Sequence, residues 1–251
     1  MSHPTLQALI FDVDGTLADT EDLHRESFNH AFAELGLDWH WDPALYTELL
    51  DISGGRDRLQ HYWKQRKPEV RAIDAQAMQQ TISRIHELKT AHYEAAIQDG
   101  AVGLRPGVLE LFDEAAAAGV QLAIATTTSP VNIAALLRRA MGPGWRHSFV
   151  AIGDGSSAPL KKPHPMVYQQ ILQLMSLDPS ACLAFEDSGN GLKAATLAGL
   201  ATVITPTLYT RQHDFSRALQ VLPDLAGTRL AQLVQWHHAH WAGERLLAVE
   251  I

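Results

Sequence analysis

The sequence predicts an α/β fold: a parallel, doubly wound, Rossmann-like core with an all-helical unit inserted after its first strand. Three observations predict it. A short apolar run, residues 8–11, stops at two aspartates two apart, Asp12 and Asp14. A stretch of purely helical periodicity then runs from Thr20 to about residue 98. After it, short apolar runs alternate with helical stretches, the pattern of βα units around a parallel sheet.

Each element has its own reason. Ala8, Leu9, Ile10 and Phe11 are apolar without alternation, as in a strand covered on both faces. Phe28, Ala31, Phe32 and Leu35 recur at helical spacing, and Gly36 ends that helix. Residues 51–58, DISGGRDR, read as a Gly-rich loop, and residues 74–97 return to helical spacing through Met78, Ile82, Ile85 and Leu88. Residues 99–107, rich in turn formers, form a hinge. Strands then fall at 122–125, 149–152, 183–185 and 202–204, with helical stretches at 107–118, 166–175 and 191–198. The expected domains are residues 1–19 with 103–251 as the core, and residues 20–102 as the inserted helical cap.

Composition narrows the function. The chain has 251 residues, 46% of them hydrophobic, with a formal net charge of −8. It carries no basic cluster longer than a pair, which argues against nucleic acid and membrane partners. No apolar run approaches the roughly 20 residues needed to cross a bilayer. The start shows no secretory signal, so a cytoplasmic location is expected. Cys182, the single cysteine, sits in an apolar segment and reads as a small buried residue. His237, His238 and His240 lie in a C-terminal stretch expected to form a surface helix rather than a metal site.

The strand ends carry the chemistry. Side chains two apart on a strand point the same way, so Asp12 and Asp14 can address one crevice; the same pair could instead cap a turn. Thr126, Thr127, Thr128 and Ser129 follow the second strand, where hydroxyls and free N–H groups suit phosphate oxygens. Ser129 before Pro130 is equally a helix N-cap. Lys161 and Lys162 follow the third strand, and Glu186 and Asp187 end the fourth. Oxygen ligands without cysteine or paired histidine favour Mg²⁺, and Mg²⁺ with lysine and hydroxyls around a carboxylate makes a phosphoryl-transfer site.

The order and content of these motifs resemble the haloacid dehalogenase (HAD) superfamily, on residues 12–16 (DVDGT), Thr126, Lys162 with Pro163, and Glu186 with Asp187. The resemblance implies a HAD core with a helical cap, Asp12 as nucleophile forming an aspartyl-phosphate, and Asp14 as general acid and then base. It also implies Thr126 and Lys162 as phosphate partners. Mg²⁺ would be held by Asp12, the backbone carbonyl of Asp14, and Asp187, with Glu186 assisting.

Cap segments such as YTELLDISGGRDRLQHYW and IHELKTAHY, with LYTRQHDF beyond the fourth motif, are similar to the CbbY type of that superfamily. That similarity implies a phosphatase of a sugar bisphosphate, xylulose-1,5-bisphosphate. Glu21 and His24 would then face the substrate, Gly54, Gly55, Arg56 and Arg58 would touch it from the cap, and Lys89 would take the distal phosphate. A β-phosphoglucomutase-like isomerase, a phosphoglycolate phosphatase and a catalytically silent binding protein on the same scaffold are the other readings. Two departures stand out. Met166 replaces the aspartate that relatives carry after Lys-Pro-x-Pro, a lost helix cap with a modest stability cost. Arg56 stands where the CbbY type commonly has lysine, and its bidentate geometry bears on substrate preference.

Overall fold

The computed structural model describes residues 4–66 and 75–249. Its sheet contains β1 (Ala8–Phe11), β2 (Gln121–Ala125), β3 (Ala151–Gly153), β4 (Cys182–Glu186), β5 (Ala201–Ile204) and β6 (Gln220–Val221). The order is β3-β2-β1-β4-β5-β6, with every neighbouring pair parallel. Strand order reverses between β1 and β4, the place where open α/β sheets bind ligands beyond their carboxyl ends.

Among the described residues, four helices lie between β1 and the glycine-rich segment 99–107: α1 (Glu21–Glu34), α2 (Pro43–Leu49), α3 (Gly55–Arg66) and α4 (Ala75–Gln98). The remainder, α5 (Val108–Ala117), α6 (Pro130–Met141), α7 (Met166–Met175), α8 (Gly189–Leu197) and α9 (Leu230–Val249), follow the hinge. Alternation explains the continuous apolar run of β1. Leu9 and Phe11 join one buried cluster with α5 and α6, while Ala8 and Ile10 join a second with α7 and α8. The segment carrying α1–α4 gathers an aromatic cluster of Phe28, Phe32, Trp39, Trp41, Tyr46 and Tyr62. Tyr209, from the loop after β5, inserts into that same cluster.

Phe11 and Phe185 are register partners on β1 and β4, and their rings stack at 4.4 Å. Such a pair contributes about 0.5–1.5 kcal/mol beyond area burial. It lies directly beneath Asp12 and Glu186, the next residues along each strand.

Several expectations need correction. The third strand begins at Ala151, not at 149: Phe149 is buried beside Phe112 from an irregular turn, so its apolar character reported burial rather than strand. Residues 55–58 belong to α3, because Gly55 opens the helix instead of breaking it. The C-terminal histidines lie on a helix as expected, but His237 is buried and its Nε2–H donates to the Ser180 carbonyl at 2.8 Å. Met166 does open α7 without a side-chain cap, and its own N–H donates to His164 Nδ1 at 3.2 Å. Cys182 is free and buried, and burial pushes its thiol up to about 12. Among the described residues, no helix is long and apolar enough to cross a membrane.

Candidate active site

Asp12 is placed by the backbone: its N–H donates to the Phe185 carbonyl at 3.0 Å, extending the β1–β4 ladder by one residue. Lys162 arrives from the loop after β3 and is almost wholly buried. Its Nζ donates to Asp12 Oδ1 (2.7 Å), Glu186 Oε1 (2.5 Å) and the Ala125 carbonyl (2.8 Å), which uses all three protons. Tyr168 of α7 donates its hydroxyl to the same Glu186 oxygen at 2.5 Å.

One lysine does not balance the charge. Asp12, Glu186 and Asp187 are all buried, and one oxygen from each lies within 4.8 Å of the others. Glu186 Oε2 is buried with no hydrogen-bond partner. Burial, only partly offset by Lys162, raises Asp12 to about 7, with Glu186 and Asp14 adding repulsion. Burial together with the charges of Asp12 and Glu186 drives Asp187 well above the usual carboxylate range. Three crowded carboxylates around one ammonium form an oxygen-only donor set short of positive charge, the condition that a hard divalent cation satisfies. Two glycines let the cluster close. A Cβ on Gly191 would lie 1.8 Å from Glu186 Oε2, and one on Gly15, where φ is +79°, would lie 2.3 Å from Asp187 Oδ2.

Asp14 sits in a different environment. Thr20 Oγ1 donates to its Oδ1 at 2.6 Å, and His24 Nε2 approaches the same oxygen at 2.9 Å. Thr20 precedes α1 but makes no side-chain cap, its hydroxyl being committed to Asp14. Lys89 Nζ lies 2.6 Å from His24 Nδ1. An ammonium can only donate, so Nδ1 accepts and Nε2 carries the hydrogen given to Asp14. Burial alone would raise Asp14, but His24, Thr20 and Lys89 outweigh it and hold the carboxyl below its usual range.

The cleft above these groups measures about 500 Å³. Asp12, Asp14, Glu21, His24, Gly54, Gly55, Arg58, Lys89, Thr126, Thr127, Thr128, Ser129, Lys162, Glu186 and Asp187 all line it, and Arg56, which is exposed, does not. Several of these groups are already engaged. Arg58 donates to the Leu49 carbonyl (3.0 Å), the Ile52 carbonyl (3.2 Å) and the Tyr46 hydroxyl (3.0 Å), and Tyr46 in turn donates to Glu21 Oε2 at 3.1 Å. Lys89 is buried against the rings of Phe28 and Tyr93. Ser129 caps α6 by accepting from Asn132 N–H at 3.3 Å, the bland reading of that residue. Thr126 Oγ1 accepts from Thr128 N–H at 3.3 Å, which leaves its own hydrogen free to donate.

Sequence reasoning passed over Thr20, His86, Tyr168 and Asn190. His86, which lines the cleft, had a signal, since it shares one face of α4 with Lys89 and Tyr93 at spacings of three and seven. Burial, with Lys89 and Arg56 nearby, lowers its imidazole to about 4. Asn190 Nδ2 donates across the cleft mouth to the Asp51 carbonyl at 3.0 Å. Tyr168 and Asn190 meet partners distant in sequence, which no local pattern marks.

Known proteins resemble this chain over most of its length. The model of a hydrolase family, the haloacid dehalogenase-like hydrolases, matches residues 6–199. The protein CbbY encoded on a plasmid of Cupriavidus necator is 48% identical over 249 residues, covering 93% of this chain and 97% of that protein. CbbY of Rhodobacter capsulatus is 45% identical, covering 88% of this chain and 94% of its own length. Among solved structures, a mutant of CbbY from Rhodobacter sphaeroides in complex with xylulose-(1,5)bisphosphate superposes with a TM-score of 0.83 at 40% identity, covering 91% of this chain and 99% of that one.

Proposed function

This chain belongs to the haloacid dehalogenase-like hydrolase family, and from that premise we propose that it is a Mg²⁺-dependent phosphatase of a sugar bisphosphate, xylulose-1,5-bisphosphate. The observation that carries the reading is the pairing, at the end of one strand, of a buried Asp12 beside Lys162 with an Asp14 held by proton donors. The 48% identity to CbbY and the xylulose-(1,5)bisphosphate bound by a relative of known structure support this choice of substrate. The domain division expected above, with a cap over residues 20–102, is part of the same proposal.

Asp12, Glu186 and Asp187 are the side chains that would hold Mg²⁺, with the Asp14 backbone carbonyl. Bound there, the ion supplies positive charge that lets an anionic carboxylate meet an anionic phosphate ester. In the first half-reaction an Asp12 oxygen attacks phosphorus, the ester P–O bond breaks, and the leaving alkoxide takes a proton from Asp14. In the second, water attacks the aspartyl-phosphate and gives its proton to Asp14, which frees phosphate and restores Asp12. The resting site holds Asp14 ionised, the form the second half needs. An incoming phosphate dianion raises the pKa of a nearby carboxyl, which is how Asp14 acquires the proton for the first half. Lys162 remains charged throughout, since Asp12 and Glu186 outweigh burial and raise it. Thr126 donates to a phosphoryl oxygen.

The test is a panel of a pentulose bisphosphate, the corresponding monophosphates, phosphoglycolate and a hexose phosphate, scored for both phosphate and isomer. We expect phosphate release, fastest from the bisphosphate. Equal turnover of the monophosphates or phosphoglycolate overturns the substrate, and isomer without phosphate overturns the hydrolysis.

A further inference from the structure

Arg105 does not line the cleft and belongs to none of the motifs above, yet its guanidinium gathers chain segments far apart in sequence. Nη1 donates to the Gly15 carbonyl and to the Thr205 carbonyl at 2.6 Å, with Thr205 Oγ1 at 3.2 Å. Nη2 donates to the Pro223 carbonyl at 2.7 Å and the Pro206 carbonyl at 3.3 Å. The backbone N–H of the same residue donates to the Leu17 carbonyl at 2.8 Å. Arg105 lies where the chain returns from α4 toward the sheet, and Gly15–Leu17 is where it departs toward α1. One side chain thus ties both crossings to the loops beyond β5 and β6.

Gly15 is the point that matters for chemistry. It follows Asp14 directly, its N–H donates to the Ala18 carbonyl at 2.7 Å, and its Cα abuts the Asp187 carboxylate so closely that no Cβ fits. Gly15, the residue after Asp14, is therefore gripped at its carbonyl by Arg105, held at its N–H by Ala18 and pressed against Asp187 at its Cα. We propose that Arg105 is a positioning residue that fixes Gly15, and through it the backbone carrying Asp14, where the Asp14 carboxyl can reach the leaving oxygen of the substrate. This rests on the assignment of Asp14 as general acid above. A planar fork serves carbonyls on both of its arms; a lysine offers its donors from a single point and cannot span them. Displacing a reacting group by about 1 Å costs on the order of 10²-fold in rate.

The experiment exploits leaving-group chemistry. An alkyl phosphate needs a proton on its departing oxygen and 4-nitrophenyl phosphate does not. kcat/KM reports steps only through departure of the alcohol, so slow hydrolysis of the aspartyl-phosphate does not blur it. Arg105→Lys should lower kcat/KM for the best alkyl substrate of the panel by about 10- to 100-fold, and for 4-nitrophenyl phosphate by less than about threefold. Asp14→Ala should show the same selectivity more strongly. Arg105→Gln, which keeps two donors without the charge, serves if the lysine variant is unfolded by circular dichroism. Selectivity in Asp14→Ala but equal losses in the Arg105 variants overturns the positioning role and leaves a structural one. Equal losses in Asp14→Ala overturn the acid assignment, and inactivity of the wild type on every ester overturns the hydrolase reading, each taking this proposal with it.

Discussion

Two carboxylate regions share the floor of the cleft and are built on opposite principles. Around Asp14 the protein supplies the donors itself, through Thr20 and the Lys89–His24 relay, and the carboxyl is held ionised. Around Asp12, Glu186 and Asp187 it supplies one lysine and one tyrosine for three carboxylates, and leaves Glu186 Oε2 unpaired. The first region is complete as folded, as proton-transfer chemistry needs. The second is deficient in positive charge, as a cation site must be before it binds. Proximity to one substrate is common to both; compensation is what separates them.

The largest break in this contrast is Asp12→Asn. It removes the proposed nucleophile while keeping shape, so phosphate release should fall by at least about 10³-fold with the circular dichroism spectrum unchanged. Unchanged turnover ends the mechanism. Next, Asp187→Asn should abolish the rise in melting temperature that Mg²⁺ gives the wild type, a readout independent of catalysis. A wild type whose melting temperature ignores Mg²⁺ and chelator alike would contradict the cation site. On the other side, His24→Ala strips Asp14 of a donor and should cost about 10- to 100-fold in kcat without touching the Mg²⁺-dependent shift in melting temperature.

The smallest effect is on stability against pH, and it gives the two regions opposite signs. Asp12 is raised from 3.8 to about 7 in the folded, metal-free protein, so its contribution is fully present below 3.8 and is lost as pH rises through about 7. Asp14 is lowered from 3.8, so its contribution is present above that value and is lost as pH falls below it. Thermal melts in chelator should therefore show the wild type losing stability from about pH 4 to 7, with Mg²⁺ restoring more of it at the upper end. Asp12→Asn should flatten that slope. A slope of the other sign in metal-free wild type would show Asp12 to be fully compensated.

The fold was legible where burial and periodicity coincide. β1, covered on both faces, and α7, with an apolar stripe at helical spacing, could be read from local pattern alone. It was misread where they part: Phe149 is apolar and buried but precedes its strand, and Gly55 opens a helix that a Gly-Gly pair appeared to break. In the cleft, residue types at strand ends marked Asp12, Asp14, Glu186 and Asp187, because strand geometry aims them before any packing is known; Lys162, on the loop after β3, was marked by its place in the motif order. Commitments of side chains were invisible. Arg58 and Lys89 read as cations facing the substrate, yet their partners are carbonyls, a tyrosine and a histidine brought in by tertiary structure. Arg105 left no trace for the same reason, since carbonyls belong to every residue type.

The insertion of α1–α4 between two strands that pair side by side has a consequence for the order of assembly. Ala8 pairs with Gln121 on one side and with Cys182 on the other, so the central strand emerges first and waits longest for either neighbour. Such long sequence separations slow folding, because chain entropy is lost before the contacts form. The intervening helices shorten that wait usefully. Apart from Tyr209, their aromatic cluster draws on residues 28–85 and can close before β2 has left the ribosome. Meanwhile the apolar strand at the amino terminus stays exposed, and that interval is when this chain is most open to aggregation or to capture by a chaperone.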